Sequence, residues 1–133
     1  MKTNSFGKIY IALMSLYFII SGFDALLNID QKLARVGLSV VNMDGKIAFI
    51  LIYCSLMIGI GIAIALLFYF SKTWRYSALL VITVISSFIC FRLVGFYLTG
   101  TFSNTQISFL SAEFIELAIG IVLLYKSKGV IKD

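Results

Sequence analysis

Four long apolar runs fill most of this 133-residue chain and limit what it can fold into. They cover residues 9–27, 47–70, 76–99 and 108–125. Each can cross a bilayer as a helix, which needs about 20 residues at about 1.5 Å per residue. Runs rich in Ile, Leu and Phe could also form buried strands, but their length favours helix. The sequence therefore predicts an all-α integral membrane protein, an antiparallel four-helix bundle that forms a single domain over 1–133.

The composition supports a membrane location and excludes several classes of function. The chain is 61% hydrophobic and 13% charged, which is too apolar for a soluble domain of this size. The sequence has no His, which excludes a Ser-His-Asp triad and an HExxH zinc site. Its net charge of +5 comes from residues at helix ends and not from a basic stripe, so we expect no nucleic-acid partner. We expect no catalytic set, no metal and no cofactor, which favours a function other than catalysis.

The distribution of Lys and Arg predicts the orientation in the membrane, because cytoplasmic loops are enriched in these residues. The loop at 28–46 carries three of them, and the turn at 100–107 carries none. The opposite side carries seven, which are Lys2, Lys8, Lys72, Arg75, Lys126, Lys128 and Lys132. This asymmetry predicts a multi-pass protein of the cell inner membrane with both termini in the cytoplasm. We also expect a short helix within 28–46, lying on the outer interface.

Ionisable residues inside the apolar runs form the candidate site. A charge in the bilayer costs about 2.5–3.5 kcal/mol on insertion scales, so it is retained when it is paired or when a function requires it. Arg92 lies about 10 Å from the end of its helix, and the short turn brings it level with Glu113 and Glu116 on the next helix. The predicted polar cluster near the outer face consists of Arg92, Glu113, Glu116, Asp24, Tyr17 and Ser21.

Three interpretations of this cluster stay open. Arg92 could be a structural bridge, since one guanidinium can bind one carboxylate with two hydrogen bonds and still donate to another group. It could instead hold an anionic or polar head group in a pocket. Three acids against one base also allow a proton-handling role, although the inner halves of the helices lack charges. Small residues predicted to allow close helix packing are Gly95, Gly59, Gly61 and Gly120.

Two functions follow from these patterns. The first is an accessory or structural subunit of a membrane protein complex, whose partners are the bilayer and another membrane protein or further copies of this chain. The alternative is a lipid- or quinone-binding protein, or a small transporter, that uses the cluster as its polar pocket. An enzyme is the third hypothesis, and it would need an acid or a Tyr for proton transfer because His is absent.

Two segments carry a resemblance to a known family. One runs from Phe91 to Leu117 and contains Arg-x-x-Gly at 92–95 and Glu-x-x-Glu at 113–116. The other runs from Tyr53 to Gly61, where two family glycines are replaced by Cys and Ser. The chain resembles an uncharacterised family of small four-helix bacterial inner-membrane proteins and is loosely similar to DoxX-like proteins. The resemblance implies four helices and a role for Arg92 and Glu113, and it implies no reaction.

Overall fold

The computed structural model describes residues 2–71 and 73–128, and all of the regular structure within them is helical. A short turn at residues 100–103 joins the last two helices, and a longer stretch without regular structure lies before the third. The five helices are α1 (Lys2–Leu27), α2 (Ile29–Val36), α3 (Met43–Ser71), α4 (Trp74–Thr99) and α5 (Asn104–Lys128).

Four of these helices, α1 and α3 to α5, are long and apolar enough to cross a membrane. This confirms the prediction of an all-helical chain with four apolar helices of spanning length. The helices extend past the apolar runs, because a hydrophobic run marks only the part suited to hydrocarbon and the helix continues into polar residues. At the start of α3, the side chain of Asn42 accepts a hydrogen bond from the Gly45 amide at 2.9 Å. Such a cap satisfies a free amide of the first turn and fixes the start of the helix.

Helix α2 is the short helix expected within 28–46, and it folds back onto the long helices. Its buried Leu33 packs with Ala25, Phe49 and Cys54. The helix ends at Gly37, whose φ of 76° is left-handed and suits a glycine. Because α2 is anchored by this apolar contact, its charged residues are held beside the membrane-length helices.

A π-helical segment interrupts α3 at Ile50–Ser55. Such segments insert an extra residue into a helical turn and are frequent at functional sites. Here the segment carries Tyr53, whose ring stacks on Phe49 at 5.1 Å between centroids. The π-helical segment lies beside α2, because its Cys54 packs with Leu33. Its Tyr53 belongs to the candidate site described below.

Helix α1 packs against α3, α4 and α5 and supplies much of the core. The side chains of Ile11 and Phe18 on α1 are almost completely buried, as are Ile64 on α3 and Ile85 on α4. At the middle of α5, the hydroxyl of Tyr10 donates a hydrogen bond of 3.1 Å to the carbonyl oxygen of Glu116. These contacts fix α5 against α1 at the depth of the candidate site.

Two glycines bring α1 and α3 into backbone contact. A Cβ at Gly61 would lie 2.8 Å from the Ser15 carbonyl oxygen, and one at Gly22 would lie 2.8 Å from the Cys54 carbonyl oxygen. The Ser15 hydroxyl donates to the Gly61 carbonyl oxygen at 2.8 Å. Small residues and Ser hydroxyls at a helix crossing allow this close approach and hold it in an apolar environment.

The other glycines predicted to allow close packing differ among themselves. A Cβ at Gly120 would lie 2.7 Å from the Tyr10 hydroxyl, so this glycine does make room for a neighbour. At Gly59 and at Gly95 a Cβ would meet no atom within 4 Å among the described residues. Neither glycine contacts another helix among the described residues, so close packing at these two positions stays a prediction for a contact outside this part of the chain.

Candidate ligand-binding site

The side chains of Arg92 on α4 and Glu113 on α5 form a two-point ion pair. The Arg92 Nε donates to Glu113 Oε2 at 3.0 Å, and the Nη2 donates to Oε1. Glu113 is only 8% exposed and the Arg92 side chain is 20% exposed, so the carboxylate is buried and the guanidinium is partly buried. A guanidinium and a carboxylate that share two hydrogen bonds have a fixed relative orientation. Arg92 therefore joins α4 to α5, the arrangement weighed above as a structural bridge.

Two further α5 residues complete the surroundings of this guanidinium. The Nη1 of Arg92 donates to Oε1 of Gln106. The Arg92 Cζ lies 5.5 Å from the centroid of the Phe109 ring, a distance typical of cation–π contacts. Among the described residues, Arg92 uses three of the five N–H donors that a guanidinium has. The remaining two are free to bind an acceptor.

Asp24 is placed differently from the expectation that it belongs to the Arg92 cluster. Its carboxylate accepts a hydrogen bond from Lys32 Nζ on α2 at 3.1 Å and another from Asn28 Nδ2 at 3.1 Å. The side chain of Asp24 is 45% exposed and that of Lys32 only 11%. The physical reason for this placement is that α2 folds back and offers a cation closer to Asp24 than Arg92 is. Asp24 thus positions Lys32.

A cavity of about 390 Å³ lies beside the ion pair, and we call it the polar cavity. All five helices contribute to its wall, and its volume falls within the range of small-molecule sites. Its charged and polar residues are Tyr17, Ser21, Lys32, Arg35, Tyr53, Arg92, Gln106, Glu113 and Glu116. Its apolar residues are Val36, Ile52, Leu56, Met57, Phe88, Phe109 and Ala112. The cavity therefore combines a charged lining with an apolar one, as an amphiphilic ligand would require.

Two residues of α3 show where the polar cavity meets the surface. Ile52 and Leu56 line it, and their side chains are 65% and 54% exposed. Both belong to a helix of membrane-spanning length. The cavity therefore reaches the molecular surface at these two apolar side chains, where the surface suits lipid chains. The lining residues Tyr17, Arg35 and Ala112 are exposed as well.

Glu116 lies deeper than the sequence predicted. Because α5 begins at Asn104, Glu116 is the thirteenth of its 25 residues. At about 1.5 Å per residue it is about 18 Å from either end of the helix. A helix that starts with the apolar run at residue 108 would place Glu116 only about 12 Å from its end. The carboxylate is partly buried and lines the polar cavity at mid-helix depth.

A second cavity of about 410 Å³ lies between the end of α4 and the turn that follows it. It shares Phe88, Arg92 and Gln106 with the polar cavity, so these three side chains form a common wall. Gly95 and Thr99 line it on α4. The open space beside Gly95 therefore belongs to this second cavity, and the Arg92 guanidinium separates it from the polar cavity.

Sequence reasoning missed four residues of the site. Gln106 could have been found, because it lies seven residues before Glu113 on the same helical face, but it was assigned to the turn. Tyr53 is the first residue of a segment that carries the family resemblance, and nothing else in the sequence indicates that it belongs to the site. Lys32 and Arg35 were counted as topology signals, since nothing local shows that α2 folds back over the cavity. The structure brings all four together with Arg92.

Comparison with known proteins adds no family to this description. No family model, no curated protein and no solved structure matches the chain. The resemblance stated for the segments around Arg92 and Tyr53 accordingly stays a prediction. The chain is a multi-pass membrane protein by the length and apolar character of its four long helices.

Proposed function

We propose that this protein binds an amphiphilic small molecule of the membrane, such as a lipid or a quinone-like molecule. The observation that carries the proposal is the polar cavity, whose lining combines charged and polar groups with apolar ones. Its opening at Ile52 and Leu56 suits a ligand that enters from the bilayer. The two unused N–H donors of Arg92 suit a neutral oxygen acceptor, such as a carbonyl oxygen, on that ligand.

The side of the membrane on which the binding site lies depends on the direction in which each helix crosses the bilayer. We propose an antiparallel bundle in the cell inner membrane with both termini in the cytoplasm. The α1–α3 contacts support it, because Gly61 packs on Ser15 while the earlier Cys54 packs on the later Gly22. Reporter domains fused after Lys126 and inserted at Thr101 should then report opposite sides of the membrane.

Native mass spectrometry of the protein purified in a mild detergent tests the proposed binding. We expect the wild type to carry one bound small molecule per chain. Ala112→Phe places a large side chain in the polar cavity and should remove most of this bound mass. Ala118→Phe is the matched control, because Ala118 is exposed on the same helix and does not line the cavity. It should keep the bound molecule.

Two results would count against a binding function. The first is a wild-type protein that is folded and empty, and the second is equal loss of the bound mass in both variants. The same preparation tests the accessory-subunit hypothesis, which stays a prediction. That hypothesis expects a second polypeptide in the complex, whereas a homo-oligomer would appear as a multiple of the mass of the chain.

A further inference from the structure

Some charged residues that line the polar cavity are paired with an opposite charge, and others are not. Among the described residues, Lys32 is paired with Asp24, and Arg92 is paired with Glu113. Arg35 and Glu116 line the same cavity and have no salt bridge within those residues. These two groups therefore decide which charge a ligand would meet.

The two unpaired groups differ in their surroundings. Arg35 is exposed and belongs to the short helix α2, outside the membrane-length helices. An exposed charge is screened by water and salt and attracts weakly. Glu116 is partly buried at the middle of α5. Within residues 2–71 and 73–128, the Tyr10 hydroxyl donates to the backbone carbonyl oxygen of Glu116, and no donor reaches its carboxylate. A carboxylate at that depth is costly unless an opposite charge accompanies it.

Aromatic rings also line the polar cavity. Tyr17 on α1, Tyr53 on α3 and Phe88 on α4 line it together with Glu116. The face of an aromatic ring attracts cations, and aromatic residues are used to bind quaternary ammonium groups. A carboxylate next to such rings favours a positive group over a negative one.

We propose that the polar cavity selects a cationic amphiphile, whose positive group binds the Glu116 carboxylate and whose apolar part lies toward the opening at Ile52 and Leu56. This rests on the proposed binding function and adds the sign of the ligand charge. The Arg92–Glu113 pair is then a wall of the site and not its charge-selecting group.

Two probes with the same tail and opposite charge test the sign, namely decyltrimethylammonium and decanesulfonate. Both are titrated into the purified protein below the concentrations at which they form micelles. We expect the wild type to bind the cation at least about tenfold more tightly than the anion. Glu116→Gln should weaken binding of the cation about ten- to a hundredfold, because a charge-assisted contact becomes a neutral one. Glu116→Asp should restore part of the affinity, and Asp44→Asn, an exposed control residue outside the cavity, should bind as the wild type does.

Preference for the anion, equal binding by Glu116→Gln, or no binding of the cation would each overturn the proposal. The circular dichroism spectrum of Glu116→Gln should match that of the wild type, and the comparison of the two probes in the wild type does not depend on any variant. If the cation fails to bind while native mass spectrometry shows a neutral or anionic molecule at one per chain, the sign is wrong and the binding function stands. If the wild-type protein is also empty, the binding function fails as well.

Discussion

Replacing Arg92 with Met is expected to lower the free energy of unfolding by about 3–5 kcal/mol, because it leaves the interior carboxylate of Glu113 without its partner. Glu113 is 8% exposed, so little water can take over the two hydrogen bonds that Arg92 provides. Glu113→Leu should cost a similar amount by leaving the guanidinium unpaired. Unfolding by sodium dodecyl sulfate in mixed micelles, followed by circular dichroism, measures both values.

The double variant Arg92→Met/Glu113→Leu separates a structural pair from two independent groups. Replacing both partners of an interior ion pair by apolar residues is often neutral or stabilising, since no uncompensated charge is left. We therefore expect the double variant to unfold close to the wild type. If the free energy of unfolding of the double variant falls by the sum of the two single losses, Arg92 and Glu113 act separately. That result would contradict the bridge between α4 and α5.

Gly61→Ala is expected to destabilise the protein by about 1–3 kcal/mol, the range for overpacking a filled interface. Its new Cβ would lie 2.6 Å from Ile19 Cγ1 and 2.8 Å from the Ser15 carbonyl oxygen. The Ser15 atom is backbone and cannot rotate away, so α1 and α3 would have to separate. The hydrogen bond from the Ser15 hydroxyl to Gly61 would then lengthen or break.

Gly59→Ala is the matched control on the same helix. A Cβ at Gly59 would meet nothing within 4 Å among the described residues. Since Ala favours helix over Gly by about 1 kcal/mol, this variant should be as stable as the wild type or slightly more stable. The same unfolding titration measures both variants. Equal losses at the two positions would contradict the backbone contact between α1 and α3.

The number and type of the long helices could be predicted from the sequence, because runs of about 20 apolar residues have few folds open to them in a bilayer. The short connection between the last two helices also indicated that Arg92 and Glu113 lie at one level. Helix ends were less predictable, since α5 begins four residues before its apolar run, at Asn104. Because α5 starts earlier than its apolar run, Gln106 belongs to the helix and not to the turn, and Glu116 lies near the middle of the helix.

The cavity itself could not be predicted, because its wall is made by contacts between distant segments. The burial of Leu33 brings α2 over the long helices, and no local pattern in 28–46 indicates which face it would pack on. The π-helical segment at Ile50–Ser55 likewise has no signature in composition. Gly22, which contacts Cys54, was overlooked because a single Gly in an apolar run is common in membrane helices.

We propose different roles for the two glutamates of α5, with Glu113 holding the helices together and Glu116 binding the ligand. The most direct test is the unfolding temperature of Glu113→Gln and Glu116→Gln in mild detergent, each with and without decyltrimethylammonium. We expect Glu113→Gln to unfold well below the wild type in both conditions. Glu116→Gln should match or exceed the wild type without the probe and should lack the rise in unfolding temperature that the probe produces in the wild type. These two roles are contradicted if Glu116→Gln is the destabilised variant or if it keeps the full rise in unfolding temperature.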